Sequence, residues 1–249
     1  MLIKLDSSNQ TQPSHDFSIR FANFVLSRKK EYQIALRRAS IWYSFFNLAQ
    51  SFGNNTLEYS HDGGTTWTTI TIDDGIYGIS DLQTAIQNAL RANNHYQVVA
   101  GADVFDIKIV GNLSTLKVDI TLTNNFQIRF GSGTKFNELL GWNTGTYTAS
   151  GSGQNPANIT RSVNSLLIHC SLATGNFENG TSSDLLYSFV PAQNPGTLID
   201  VNPQGSPIYL PINTDQNIQS IRMYLTDQLG RPIDLNGENT TYLLELIEK

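Results

Sequence analysis

The sequence predicts a mainly β protein, a β-sandwich interrupted by a small inserted α+β subdomain. Alternating apolar and polar residues mark strands near both ends of the chain, and a segment between them has the spacing of an amphipathic helix. The composition agrees with this fold. Only 15% of the residues are charged, and the polarity comes mainly from Asn, Ser, Thr, Gln and Gly, which suit turns and strand edges.

The N-terminal part, residues 1–73, is predicted to form the first strands of the sandwich. Residues 17–21 and 41–46 have the alternation of strands, and the second stretch is apolar on both faces, as in a central strand. Residues 59–72 predict a β-hairpin, because Asp62-Gly63-Gly64 is a turn sequence between two alternating segments.

The next segment, 74–148, is predicted to be the inserted subdomain, a helix followed by a three-stranded meander. Apolar residues at 80–92 recur at i, i+3, i+4, i+7 and i+8 and so share one helical face, and Ser80 with Gln83 predicts a capping box. The remaining predicted elements are strands at 105–109, 116–122 and 126–130, a helical turn at 136–140 closed by Gly141, and a linker at 143–158 that is too polar to support a core.

The C-terminal part, residues 149–249, is predicted to complete the sandwich. The clear strand patterns are 166–172, 185–189, 221–225 and 242–246, and weaker ones are 199–201 and 208–210. Two separate domains divided at the linker are the alternative. Neither flank alone has enough strands for a closed sandwich, which favours the interrupted one.

The predicted hairpin turn is similar to the Asp-box of sialidase propellers, Ser-x-Asp-x-Gly-x-Thr-Trp. Here the matching residues are Ser60, Asp62, Gly64 and Trp67, with Thr66 before the tryptophan. In that family the box braces a hairpin, since the Asp can accept backbone N–H groups across the turn while the Trp packs beneath it. The single copy, without a propeller repeat, predicts a structural brace rather than a glycosidase site.

The sequence predicts neither an enzyme nor a cofactor or metal site. It has four histidines, and Gly-x-Ser-x-Gly and the spaced acidic ligands of calcium loops are absent. His169 and Cys170 are adjacent, so on a strand they would point to opposite faces and could not pair. Cys170 shares its face with apolar residues, which predicts a buried structural thiol.

Charge and hydropathy predict no nucleic-acid or membrane partner. The net charge is -5, and the longest basic cluster is 28–30. No apolar run approaches the roughly 18 residues that a membrane span needs. Residues 1–6 turn polar before a signal-peptide core could form, and the single cysteine cannot form an internal disulfide, so we expect synthesis in cytoplasm or nucleus without secretion.

Three stretches resemble the minor capsid, or penton, proteins of Polinton-type elements, adintoviruses, polinton-like viruses and virophages. They are residues 13–23 (PSHDFSIRFAN), residues 168–172 (IHCSL) continuing to Asn179-Gly180, and residues 220–238 (SIRMYLTDQLGRPIDLNGE). The last is the most specific. Segment 74–142 matches the family only in being an insertion, so the resemblance covers about two thirds of the chain.

The resemblance implies a single jelly roll, five copies of which close a vertex of an icosahedral shell in the virion. Its partners would be itself and the major capsid protein, with a host receptor or glycan as a further one. The stretch 226–238 would be an assembly loop carrying Asp227, Gln228, Gly230, Asp234, Gly237 and Glu238, although an ordinary long hairpin loop explains it equally well.

A second hypothesis is a carbohydrate- or receptor-binding β-sandwich that acts in attachment. Trp67 and Trp142, expected to be exposed, and the Asn-rich loops motivate it. The two hypotheses are compatible, since a vertex protein can also attach to a host.

Overall fold

The structure is a computed structural model that describes residues 1–8, 10–22, 26–27, 30–160, 163–203, 205, 207–212 and 218–249. Two predicted features reach outside this range. Residues 28 and 29 of the longest basic cluster and Asn23, the last residue of the first resemblance stretch, lie outside the described residues.

The regular structure is mainly β, which confirms the predicted fold class. The strands, numbered in chain order, are β1 (Leu2–Asp6), β2 (Asp16–Arg20), β3 (Tyr32–Trp42), β4 (Thr56–Ser60), β5 (Thr68–Thr71), β6 (Gln97–Val99), β7 (Ala102–Val104), β8 (Ile107–Asn112), β9 (Lys117–Leu122), β10 (Gln127–Phe130), β11 (Gly145–Tyr147), β12 (Gly151–Ser152), β13 (Leu166–Cys170), β14 (Asn176–Glu178), β15 (Thr181–Ser183), β16 (Leu185–Phe189), β17 (Leu198–Val201), β18 (Leu210–Pro211), β19 (Ser220–Asp227) and β20 (Thr241–Glu248). The helices are α1 (Ile79–Ala92) and α2 (Phe136–Leu140), with a 3₁₀ turn at Gln50–Phe52.

The chain forms two compact units. The sandwich unit consists of Met1–Phe45 and Val163–Lys249, and the inserted unit is Phe46–Ser162. Each unit has its own hydrophobic core. The inserted unit is therefore wider than the predicted 74–148, because the β4–β5 hairpin before it and residues after it contribute to its core.

The sandwich unit is a jelly roll of two antiparallel sheets. One sheet has the order β1-β20-β3-β17, with β18 also paired to β3, and the other has the order β16-β13-β19-β2. Inward-facing side chains of both sheets form one core, and its largest fully buried members include Phe17, Ile34 and Tyr242. The predicted jelly-roll class is confirmed.

Strand β3 differs from its prediction. The strand runs over Tyr32–Trp42, whereas residues 41–46 were predicted. A β-bulge opposite Leu243 and Leu244 leaves Arg37 and Arg38 both exposed, which breaks the alternation that a sequence pattern relies on. Its central position is confirmed, because β3 pairs with β20 on one side and with β17 and β18 on the other.

The inserted unit contains a four-stranded sheet, a three-stranded sheet and one small hairpin. The orders are β11-β10-β4-β5 and β12-β9-β8, and β6 pairs with β7 alone. Helix α1 packs on β8 and buries Leu82, Ile86 and Leu90, as its periodicity predicted. Near the ends of the unit, the side-chain amide of Asn47 donates to the backbone carbonyl of Ile159 at 2.7 Å.

Three predictions within the inserted unit are wrong. The third strand of the meander, β10, pairs with β4 and β11 and not with β9, because a turn at 123–126 carries the chain into the other sheet. The segment 143–158 is not a bare linker, since β11 and β12 extend the two sheets. The capping box differs too, because the Asp81 carboxylate accepts the Gly78 backbone N–H at 2.8 Å and Ser80 lies inside the helix.

The predicted final helical turn is confirmed. Helix α2 covers Phe136–Leu140 and ends at Gly141, which has a positive φ of 72°. A side chain at Gly141 would also meet the carbonyl oxygen of Asn155 at 2.2 Å, so the position requires glycine. Within the described part of the chain, neither helix is long and apolar enough to cross a membrane.

Candidate functional site

The three stretches that carry the family resemblance lie side by side in one sheet of the sandwich. They correspond to β2, β13 and β19, with β19 in the middle. Met223 of β19 pairs with Phe17 of β2 on one side and with Cys170 of β13 on the other. We call these three strands and the loop 226–238 the signature surface.

A row of stacked polar side chains crosses the signature surface. Asp16 accepts two hydrogen bonds from the Arg222 guanidinium, both at 2.7 Å. That guanidinium lies 4.6 Å from the centre of the Tyr224 ring, which stacks on His169 with centroids 4.3 Å apart. The row therefore joins all three strands through side chains as well as through backbone pairing.

At the inner end of this row, Asp184, His169 and Thr226 are hydrogen-bonded in the acid–histidine–hydroxyl order of a catalytic triad. His169 contacts the Asp184 carboxylate through Nδ1 at 3.1 Å and the Thr226 hydroxyl through Nε2 at 2.9 Å. Only 3% of His169 and 7% of Thr226 are exposed, so a substrate carbonyl has no access to the hydroxyl. The arrangement stabilises the sheet by pairing buried polar groups.

Electrostatics at this network follow from its hydrogen bonds. Burial pushes the pKa of Asp184 upward, but the hydrogen bonds from His169 and Tyr224 outweigh it and hold that pKa below its ordinary value. Burial and the Asp184 carboxylate together raise the pKa of Tyr224. Sequence patterns do not predict this network, because Thr226 is 57 residues from His169 and no motif spacing links them.

Cys170 behaves as predicted. It lies in the sandwich core, and burial raises the pKa of its thiol to about 12. A thiol with that pKa stays protonated at neutral pH and is a poor nucleophile.

The loop 226–238 is anchored from inside by Asp227. This residue is 1% exposed, and one carboxylate oxygen accepts the backbone N–H groups of Leu229 at 2.8 Å and Arg231 at 3.0 Å. The other oxygen pairs with the Arg231 guanidinium. Next to it, the Gln228 side chain accepts the backbone N–H of Asn164 at 3.0 Å. Asp227 and Gln228 therefore shape the loop.

The other predicted loop residues lie at the surface. Gly230, Asp234, Gly237 and Glu238 are exposed, and Gly230 and Gly237 have positive φ values, as their turns require. Ile233 and Leu235 point into the sandwich core and hold the loop against it. The exposed tip also carries Leu229, 65% of which is open to solvent and which was not among the predicted loop residues.

The predicted hairpin brace lies in the inserted unit. Ser60 donates to the Asp62 carboxylate at 2.7 Å and accepts the Gly64 backbone N–H at 2.8 Å. Asp62 also accepts the backbone N–H of Thr66 at 2.9 Å and its hydroxyl at 2.6 Å. These hydrogen bonds, of which those from Thr66 contribute most, hold the pKa of Asp62 well below its ordinary value.

Of the two tryptophans that motivate the attachment hypothesis, Trp67 is half-buried and Trp142 is buried. The Arg129 guanidinium lies 4.2 Å from the Trp67 ring centre and is itself paired with Glu58 at 2.7 Å and 2.9 Å. The prediction that Trp142 is exposed is wrong. It is 3% exposed, and its indole N–H donates to the Val118 carbonyl at 3.0 Å, so it is a core residue with a satisfied polar atom.

Among the residues that the structure describes, no three or more His, Cys, Asp or Glu side chains are grouped so that they could hold a metal ion. The polar residues of the signature surface are instead paired with one another.

Comparisons with known proteins identify the fold. No protein-family model and no curated protein matches the sequence. The crystal structure of the mavirus penton protein aligns with 100% of this chain and 100% of its own, at 13% identity and a TM-score of 0.50. A chain in the cryo-EM structure of the Sputnik virophage aligns with 100% of this chain and 98% of its own, at 15% identity and a TM-score of 0.49. The chain thus shares the fold of the mavirus penton protein over its whole length.

Proposed function

We propose that this chain is a minor capsid protein that forms the five-fold vertices of an icosahedral virus shell as a homopentamer. One observation carries the proposal, the likeness to the mavirus penton protein over all of both chains. That likeness includes the inserted unit as well as the jelly roll. The role is structural and needs no catalytic group.

The edges of the sheet with the order β16-β13-β19-β2 support a ring assembly. Strands β2 and β16 are its outer strands, and each has one backbone edge without a strand partner among the described residues. A neighbouring copy would cover such an edge. If one edge of each copy contacts the other edge of the next copy, and neighbouring copies are related by a rotation of a fifth of a turn, five copies close into a ring.

The composition also suits repeated contacts between identical copies. With 15% charged residues and an excess of neutral polar ones, two copies can approach with little like-charge repulsion. In the shell, the pentamer would contact the major capsid protein around its circumference. The protein would be synthesised in the host cytoplasm or nucleus and would then be incorporated into the virion.

Oligomeric state tests the proposal directly. Mass photometry of the purified protein should give a species of about five times 27.6 kDa, and negative-stain electron microscopy should show five-fold rings. A protein that stays monomeric at every salt and protein concentration, and that is missing from virion vertices, would contradict the proposal.

The loop 226–238 is proposed as a contact between neighbouring copies in that ring. Its exposed Leu229 would be buried by a neighbour, so Leu229→Asp should reduce the pentamer fraction while the monomer stays folded. Leu113→Asp is the matched control, since Leu113 is 91% exposed in the turn between β8 and β9. Pentamers that tolerate Leu229→Asp would exclude the loop as a contact and leave the vertex role intact.

A further inference from the structure

The inserted unit contains an open groove of about 630 Å³ that neither the fold nor the proposed vertex role explains. The residues that line it are Gln87 and Arg91 of α1, Gly101, Asp103 and Val104 of the β6–β7 hairpin, and Phe105 and Lys108. The volume lies within the roughly 300–1,000 Å³ of small-ligand sites.

Arg91 is held in place at this groove. Its Nε donates to Asp103 at 2.7 Å and its Nη1 donates to Asn88 at 2.9 Å. The guanidinium carbon lies 4.9 Å from the centre of the Phe105 ring. These three contacts orient the guanidinium and leave its Nη2 without a partner among the described residues, so a ligand acceptor can bind there without reorganisation.

Two further donors are unused. Lys108 is exposed and forms no ion pair within the described residues, and the Gln87 amide forms no hydrogen bond with them. Asp103 offsets one of the two positive charges, so the groove carries a net charge of about +1. The whole chain has a net charge of -5, so this local excess is not part of a general basic surface.

The groove offers hydrogen-bond acceptors as well as donors. One carboxylate oxygen of Asp103 and the amide oxygen of Gln87 can accept from hydroxyl groups. A bare anion would gain nothing from them. A polyhydroxylated ring with a single anionic group would use both kinds of partner, together with the single net positive charge.

We propose that this groove binds a saccharide that carries one anionic group, a carboxylate or a sulfate. Lys108 and the Nη2 of Arg91 bind the anion, while Gln87 and Asp103 bind hydroxyl groups. Binding at this groove does not depend on pentamer formation, because every lining residue lies within the inserted unit of one chain.

The test is a titration of the full-length protein by NMR and calorimetry with three sugars. They are 3′-sialyllactose for the carboxylate, lactose 3′-sulfate for the sulfate, and neutral lactose. We expect saturable binding of at least one anionic sugar, at least tenfold tighter than that of lactose. The stronger of the two identifies the anion. Equal binding of lactose, or no saturable binding of either anionic sugar, would overturn the proposal.

Two variants localise the binding. Lys108→Gln should weaken the anionic sugar about tenfold, since it removes one charge-assisted hydrogen bond. Lys135→Gln makes the same charge change at another exposed lysine of the inserted unit, outside the groove, and should leave the affinity unchanged. Equal weakening by both variants would show attraction by overall charge and would overturn the assignment to this groove.

Discussion

Ser60 shows how a single buried hydroxyl can determine a turn. The residue has no exposed surface, and its hydroxyl both donates to Asp62 and accepts from the Gly64 backbone. Ser60→Ala leaves the Gly64 N–H without that partner. We expect the free energy of unfolding to fall by about 1–3 kcal/mol, measured by urea denaturation. Thr65→Ala removes an exposed hydroxyl of the same turn, whose only effect on the brace is a solvent-exposed hydrogen bond to the Asp62 carbonyl at 3.2 Å, and it should change the free energy of unfolding by less than about 0.5 kcal/mol. Equal effects of the two variants would contradict the brace.

His95 should make the stability of the inserted unit depend on pH. Its ring stacks on His61 with centroids 3.8 Å apart, and its Nδ1 contacts the Tyr59 hydroxyl at 2.8 Å. Burial is the main cause that lowers the pKa of His95 below 6.5, and repulsion from His61 is the second. The nearby Asp62 carboxylate opposes this lowering only in part. The neutral ring is therefore the form that the fold prefers.

The direction of the pH effect follows from proton linkage. Below pH 6.5 the unfolded chain takes up the His95 proton more readily than the folded one, so stability is complete above that pH and decreases as the pH falls through it. Denaturation midpoints between pH 7.5 and 5.5 should fall less steeply in His95→Gln than in the original chain. Parallel pH profiles of the two proteins would refute this role of the histidine pair.

At the scale of elements, the loop 226–238 combines a buried anchor with an exposed tip. Asp227→Ala removes the acceptor of two backbone N–H groups, those of Leu229 and Arg231. We expect a loss of about 2 kcal/mol in the free energy of unfolding. Glu238→Ala removes an exposed carboxylate of the same loop and should cost less than about 0.5 kcal/mol. A stable Asp227→Ala protein would show that the loop holds its shape without this anchor.

How far the elements could be predicted from the sequence depends on whether their pattern is local. Helix α1 and the final turn at Phe136–Leu140 were predicted closely, because the apolar spacing of α1 and the glycine that ends α2 lie within a few residues. Strand β3 was misplaced since its bulge exposes two consecutive arginines. The partners of β10 were predicted wrongly, because alternation shows that a strand exists and not which strand it pairs with.

The candidate site, too, could be predicted from the sequence only where its features are local. The stretches of the signature surface could be selected from the sequence by resemblance, but their adjacency depends on β19 lying between β2 and β13. The pairing of His169 with Thr226 and Asp184 joins residues far apart in the chain. Long-range side-chain contacts of this kind follow from the sheet order, which local periodicity does not contain.

At the scale of the whole molecule, the chain closes two separate cores. The sandwich core is built mainly from β1–β3, β13 and β16–β20, and the core of the inserted unit is built mainly from β4, β5, β8–β10, α1 and α2. Asn47 links the two ends of the inserted unit, since its side-chain amide donates to the Ile159 carbonyl. An insertion with adjacent ends can enter a single loop without opening its host sheets.

This organisation predicts that the sandwich unit survives removal of the inserted unit. Replacing 46–162 with a short Gly/Ser linker should leave a folded β protein with a cooperative thermal transition, because every strand of both sandwich sheets and their core remain. Circular dichroism and amide dispersion in NMR spectra measure this. If the contacts of the vertex lie in the jelly roll, mass photometry of the same protein should still give pentamers.

The matched control replaces 163–249 instead, which removes six strands of the two sandwich sheets and should abolish the sandwich fold. Loss of cooperative unfolding in the first protein would mean that the sandwich depends on its insertion, whereas a folded monomer would place the ring contacts in the inserted unit.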